Sequence, residues 1–226
     1  MIPSLQFHHL DADLLLVDKP AGLLAVPGRG EDKQDCLSAR VQHIYPDALV
    51  VHRLDMATSG LMLMARSPSA QRILSLAFAE RRVHKQYAAV VHGLMTRSVD
   101  SVLDSDGWRL IDLPIAVDWP NRPLRVINHD TGKPSQTRWR VQNHDLEAGT
   151  TRLLLEPLTG RSHQLRVHLQ ALGHPIVGDA LYDPSWRAWL AMTDALENRL
   201  RLHASALAFD HPVTGVTLRF DSLAPF

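Results

Sequence analysis

Leu14 to Val17 is an unbroken apolar run closed by Asp18-Lys19-Pro20, which reads as a buried strand stopped by proline. The stretch AGLLAVPGRGEDK that follows reads as a Gly/Pro-punctuated connection. VVHRLD (Val50–Asp55) and GLMLMAR (Gly60–Arg66) form two more strand-like runs joined by the polar turn MATS. That spacing predicts Asp55 at the end of a strand, on a short loop. At Ser67-Pro68 the period changes: Ala70, Ile73, Leu74, Ala77 and Phe78 recur at helical spacing, with Gln71, Arg72 and Ser75 turned outward. Lys85 to Gly93 (KQYAAVVHG) is β-rich and ends at glycine, so Tyr87 is expected near the start of a third central strand.

The middle, Leu113 to Pro134, holds DWPNRP and TGKP and is expected to be a loop-heavy insertion. Strands resume at QTRWRVQ and TRLLLEP. After LTGR, Ser162 is expected to cap a helix carrying Leu165, Leu169 and Leu172, closed by Gly173 with Pro175 beyond. His163, Arg166 and Gln170 fall on a different stripe of that helix. Arg187 to Asn198 suggests a further helix, and LRLHASALAFDH with VTLRFDS a terminal strand pair turning at HPVTG. No internal repeat or low-complexity tract interrupts this pattern. Strands clustered at both ends with few helices between them predict an α+β fold: a mixed, largely antiparallel central sheet flanked by helices and loops. The lack of regular strand–helix alternation counts against a Rossmann fold or a barrel.

A chain of 226 residues accommodates one substantial core or two closely packed lobes, and the expectation is one catalytic unit. Its 45% apolar content, with charges of both signs spread along it, fits an ordinary globular protein. The single cysteine, Cys36, excludes an internal disulfide framework and a Cys-rich zinc site, and reads as a buried or idle thiol in a reducing compartment. The N-terminus lacks a signal-peptide pattern, and no segment approaches the ~20 apolar residues of a membrane span, so the cytoplasm is the expected location. Nothing in the pattern forces association, and a monomer is expected.

Zero formal net charge argues against nucleic acid as a partner, but the distribution answers that objection. Arg53, Arg66, Arg72, Arg81, Arg82 and Lys85 stand against only Asp55 and Glu80 in their stretch. Arg122, Arg125, Lys133, Arg138 and Arg140 stand against Asp130 alone in theirs. Acidic residues gather instead in Asp11–Asp35 and Asp100–Asp112, so a basic face is compatible with a neutral total. Two solvated surfaces would give the same counts.

Asp55 draws attention as a carboxylate between His52-Arg53-Leu54 and Thr58-Ser59-Gly60, at a strand-to-loop transition between apolar runs. An aspartate in such a place also serves as a turn cap through nearby amides. The thirteen histidines raise the question of a metal, with His163, His168, His174 and Asp179 close together. The spacing of His163 and His168 does not reproduce two ligands at i, i+4, and no thiol joins them, so no metal is expected.

HRLDMATSGLMLMAR resembles the HRLD-x-x-T-S-G-L signature of the RluA family of RNA pseudouridine synthases. VDKPAGLLAVPG resembles that family's N-terminal block, KQYAAVVHG its K-x-Y strand, and LTGRSHQLRVHLQALGHPIVGDALY its arginine-bearing helix and following loop. RLHASALAFDHP extends the likeness almost to the C-terminus. DWPNRP and TGKPSQT look like the small RluA subgroup, whose members act on ribosomal RNA and tRNA. The short stretch before the VDKP block implies a single catalytic domain over residues 1–226 without a separate N-terminal S4 RNA-binding domain.

The resemblance implies conversion of uridine to pseudouridine in structured RNA without cofactor or metal. It makes Asp55 the catalytic carboxylate and Arg166 the arginine that pairs with it and orients its oxygens; a surface arginine would fit the same position. It makes Tyr87 the residue that stacks on the target base and assists removal of the C5 proton, where a strand tyrosine is otherwise often core. Arg53 would fill the gap left by a uridine swung out of the stack, since extrusion costs a few kcal/mol. Lys85, Arg161, His163, Arg122 and Arg125 are expected to contact the RNA, chiefly its phosphates. His52 and His203 are expected as packed or hydrogen-bonded neighbours of the site. A catalytically idle RNA-binding or ribosome-assembly module on the same fold is the competing reading. A glycoside hydrolase would need a paired acid roughly 5–10 Å away, which the motif region does not offer.

Overall fold

The computed structural model describes residues 5–95, 106–188 and 199–226. In chain order the first elements are β1 (Phe7–Leu10), β2 (Leu14–Lys19), α1 (Leu37–Ile44), β3 (Leu49–Val50), β4 (Ser59–Ala65), α2 (Pro68–Ala79) and β5 (His84–His92). They are followed by β6 (Arg109–Asp112), β7 (Ile115–Val117), β8 (Arg125–Ile127), β9 (Gln136–Asp145), β10 (Thr150–Pro157), α3 (Gln164–Ala171), β11 (Leu202–Asp210) and β12 (Thr217–Asp221). The pairs β1–β2, β2–β4, β3–β4, β5–β10, β9–β10, β6–β9, β7–β8 and β11–β12 are antiparallel and β4–β11 is parallel, so the architecture is a mixed, largely antiparallel sheet with few helices. No helix among the described residues is long and apolar enough to cross a membrane.

The chain divides into two compact units, residues 1–85 with 203–225, and residues 86–202 with 226. In the first, β1, β2, β4, β11 and β12 follow one another in the sheet, with β3 beside β4. The unbroken apolar runs of β2 and β4 have a direct cause, because each strand is covered on both faces. Leu14, Leu16, Leu61, Leu63 and Ala65 join Ala70, Leu74 and Ala77 of α2, whereas Leu15, Val17, Met62 and Met64 join Leu37 and Val41 of α1. Helix α2 opens at Ser67-Pro68 as the sequence predicts, with Ser67 capping it by accepting from the Ala70 amide at 3.2 Å. Ile73, expected on the inner face, is instead 44% exposed; the buried stripe is Ala70, Leu74 and Ala77. Cys36 is buried at the N-cap of α1, its sulfur receiving the Ala39 amide.

In the second unit β5, β10, β9 and β6 form an antiparallel run, bulged between Arg152 and Leu153. The loop-heavy insertion holds more order than expected: β7 and β8 make a hairpin, packed through Ile115, Leu124 and Ile127 on Val167 of α3 and on Tyr182. Most of the helix expected over Arg187–Asn198 lies outside the described residues.

Candidate active site

Asp55 sits in the first unit on the segment between β3 and β4. The expected strand Val50–Asp55 is corrected here, because only Leu49–Val50 pairs with β4. Side chains take over the ladder beyond that point. The Val50 carbonyl accepts from Gln71 Nε2 at 2.8 Å, and the Leu63 amide donates to His52 Nε2 at 3.0 Å. Released from pairing, the chain runs on to a turn in which the Thr58 amide donates to the Asp55 carbonyl at 3.1 Å. Asp55 is half-buried, Arg53 and Met56 are exposed, and Leu54, Thr58 and Ser59 anchor the segment from within.

Several neighbours fix this loop. Lys19, 1% exposed at the end of β2, donates from Nζ to the carbonyls of Pro20, Leu23 and Met56 at 2.9, 2.7 and 3.0 Å. The Gly22 amide adds a bond to the same Met56 carbonyl at 2.9 Å. His52 stacks on Phe78 with ring centroids 4.3 Å apart. Removal from water, reinforced by the Lys85 charge, pushes the His52 pKa down to about 3. The ring is therefore neutral, and because Nε2 accepts, its proton sits on Nδ1. His203 binds Ser59 Oγ at 2.8 Å through Nδ1 and Ser222 Oγ at 3.0 Å through Nε2. Gly60 is required where it stands: its φ is +109°, and a Cβ there would lie 2.4 Å from the Ala204 carbonyl oxygen of the parallel neighbour. Lys85 is half-buried, with a pKa lowered first by burial and then by the Arg81 charge.

Tyr87 and Arg166 belong to the second unit. Tyr87 is half-buried on β5, in register with Leu155 of β10. Arg166 is not the surface residue its stripe allowed, being 4% exposed. The separation of leucine and polar stripes fails because Gln164 through Leu169 are all buried. Arg166 grips Asp179 with both arms, Nε to Oδ2 at 2.7 Å and Nη2 to Oδ1 at 2.6 Å, and lies over the Tyr182 ring at 5.0 Å. Asp179 Oδ1 also accepts the Leu181 and Tyr182 amides at 2.9 and 3.1 Å. The Tyr182 hydroxyl bonds His163 Nδ1 at 2.7 Å and receives the Arg125 amide at 2.9 Å; burial raises its pKa. Arg166, His163 and the β8 strand of Arg125 thus converge on one tyrosine.

The helix start differs from expectation. Ser162 does not cap; His163 takes a left-handed conformation, φ 57°, immediately before Gln164. Gln164 organises the turn instead, its Oε1 accepting the Thr159 hydroxyl at 2.7 Å and the Arg161 amide at 3.1 Å. Arg161 is exposed and reaches the Pro134 carbonyl at 3.4 Å. Arg122 is exposed with its guanidinium 4.0 Å from the centre of the Trp119 ring, and Arg125 donates to the Pro123 and Leu124 carbonyls at 3.0 Å each.

The clustered histidines have separate partners: His168 bonds Thr137 and the Leu113 carbonyl, His174 the His92 carbonyl, and His163 Tyr182. Burial lowers the His168 pKa. Asp11, Asp13 and His211 bring three potential donor atoms within 4.8 Å of one another. There the His211 Nδ1 accepts the Val213 and Thr214 amides at 3.2 Å each, so Nε2 carries the ring's proton toward Asp11, 3.1 Å away, and is not free to ligate. Lys19, Asp179, Tyr182 and Gln164 were not distinguishable as supporting residues in the sequence; only the side-chain partners reveal them.

A family model described as RNA pseudouridylate synthase matches residues 13–171. The chain is 44% identical over 225 residues, 99% of its length and 95% of the relative's, to the dual-specificity RNA pseudouridine synthase RluA of Escherichia coli K12. The Yersinia pestis protein of that description is 44% identical over 217 residues, 96% of this chain and 97% of its own. Human RNA Pseudouridylate Synthase Domain Containing 1 is 30% identical with a TM-score of 0.78, covering 100% of this chain and 86% of that one. Human RNA Pseudouridylate Synthase Domain Containing 4 shares the fold, with a TM-score of 0.71 at 22% identity over 97% of this chain and 88% of that one.

Proposed function

This chain belongs to the RNA pseudouridylate synthase family, and from that premise we propose that it converts specific uridines in stem-loops of ribosomal RNA and tRNA to pseudouridine, with Asp55 as the attacking carboxylate. The carrying observation is the likeness to dual-specificity enzymes along nearly the whole chain, with the HRLD, K-x-Y and arginine-helix segments all intact. Intact Asp55, Tyr87 and Arg166 disfavour an idle RNA-binding module.

The reaction is an isomerisation. The N1–C1′ bond breaks, the detached uracil turns, a C5–C1′ bond forms, and the proton lost from C5 is balanced by one gained at N1, so no co-reactant enters. Asp55 supplies the anion that meets C1′ as N1 departs and is displaced again when C5 bonds to that carbon. The family resemblance gives Arg166 the task of orienting that carboxylate, and Asp179 fixes the guanidinium through Nε and Nη2. Tyr87 stacks on the uracil, and its hydroxyl assists removal of the C5 proton. Arg53, exposed beside Asp55, fills the place vacated by the flipped base. Lys85, Arg161, His163, Arg122 and Arg125 hold the surrounding RNA, with phosphates the partners of the cationic side chains. On this reading residues 1–226 are a single catalytic domain, acting as a cytoplasmic monomer.

RNA carrying C5-tritiated uridine tests this reading. Purified protein releases tritium as pseudouridine forms, and Asp55→Asn abolishes release while retaining RNA affinity, because an amide keeps the size but not the anion. No release from unmodified ribosomal or transfer RNA would overturn the activity. Full turnover by Asp55→Asn would remove Asp55 from its role.

A further inference from the structure

We propose that Trp119, between β7 and β8, is a stacking platform for an unpaired base of the substrate RNA. The inference rests on the RNA reading above and identifies a contact within it. Trp119 is 65% exposed, whereas the other described tryptophans, tyrosines and phenylalanines are buried or half-buried. An indole left in water keeps its large apolar face available to a partner.

Arg122 covers the ring with its guanidinium carbon 4.0 Å from the centroid. The arm that carries it is held at both ends. At the tip, Asn121 donates from its amide and from Nδ2 to the Asp118 carboxylate at 3.3 and 3.0 Å, and the Asp118 and Leu124 amides close the turn at 3.1 and 3.0 Å. At the base, the Arg125 amide donates to the Tyr182 hydroxyl at 2.9 Å, and Ile115, Leu124 and Ile127 pack on Val167 and Tyr182. The indole is therefore presented from a positioned support, which lowers the ordering cost of binding.

Its surroundings select the occupant. Asn121, Arg122 and Pro123 beside it are exposed, and Arg125 is half-buried, so Trp119 is not part of a broad apolar patch of the kind a protein partner covers. Residues 115–127 carry Arg122 and Arg125 against Asp118, a net +1. One aromatic face with an arginine stacked behind it and a positive balance is the chemistry that takes a nucleobase and its phosphate.

The test is equilibrium binding of a tRNA anticodon stem-loop to the Asp55→Asn chain, with and without Trp119→Ala, and with abasic nucleotides substituted one at a time through the loop. Trp119→Ala weakens binding about 10-fold or more, whereas Trp119→Phe, which keeps a ring, stays within about 3-fold of the parent. One abasic position is costly in the Trp119 protein and nearly neutral in Trp119→Ala. The salt slope is unchanged by Trp119→Ala and falls by about one with Arg122→Ala. Parental affinity in Trp119→Ala, or an equal penalty at every abasic position in both proteins, would overturn the platform. Failure of the family reading would show separately, as absence of pseudouridine formation by the wild-type chain.

Discussion

Replacing Asp179 by asparagine removes one charge from a pair enclosed on both sides, Arg166 at 4% exposure and Asp179 at 1%. Taking away one partner of a buried pair costs about 3–5 kcal/mol. Asparagine keeps an oxygen for the Leu181 and Tyr182 amides, which favours the lower end, about 3 kcal/mol. For a chain of this size each kcal/mol lowers Tm by about 2–4 °C, so a fall of about 6–12 °C is expected. The Arg166 guanidinium also loses the clamp that aims it, and a misplacement of about 1 Å can cost on the order of 100-fold in rate. Calorimetry and single-turnover tritium release read the two effects independently. Asp179→Glu separates them: it keeps the charge but moves it by one methylene, so the rate falls more than Tm does. A double variant, Arg166→Met with Asp179→Leu, recovers stability but not turnover. If Asp179→Asn melts within about 2 °C of wild type, or turns over at the wild-type rate, the clamp has neither role argued for it.

Tyr87→Phe keeps the ring but loses the oxygen, so single-turnover uridine consumption continues while C5 tritium release stalls; wild-type rates of both would make the hydroxyl dispensable. The His52 ring stays neutral down to a pKa of about 3, whereas in the unfolded chain it protonates near 6.5. Unfolding therefore takes up a proton between those values, and stability is lost at about 1.4 kcal/mol per pH unit as pH falls through that window, with none lost to this group above it. His52→Gln lacks that term, so the difference in urea midpoint between the two proteins must change from pH 7 to pH 4; a constant difference refutes the assignment. Lys19→Met strips three carbonyls of their shared donor and is expected to destabilise the chain by about 2–4 kcal/mol in chemical denaturation, an effect that a midpoint equal to wild type would exclude.

What the sequence disclosed depended on how local the cause was. The apolar run of β2, the Ser67-Pro68 start of α2 and the β11–β12 hairpin rest on neighbouring residues, and each was legible. The motif singled out Asp55, Tyr87 and Arg166 but not the residues supporting them. Asp179 lies thirteen positions from Arg166 and Lys19 thirty-seven from Met56, distances over which periodicity carries no signal. The strand expected through Asp55 fails because His52 and Gln71, rather than a partner strand, satisfy the backbone there. The polar stripe of α3 misled for a different reason: a helix enclosed on most sides has no solvent face against which to read a pattern.

The three carbonyls gathered by Lys19 bear on how separable the Asp55 loop is from its host. Its local sequence looks like a portable cassette, yet the Met56 carbonyl within it is held by an ammonium at the end of β2 and by the Gly22 amide. A graft of residues 52–60 into another scaffold would carry the carboxylate and leave behind the strand end that shapes its backbone. In this protein the loop keeps its shape only in company with other stretches of chain, Lys19 to Leu23 among them.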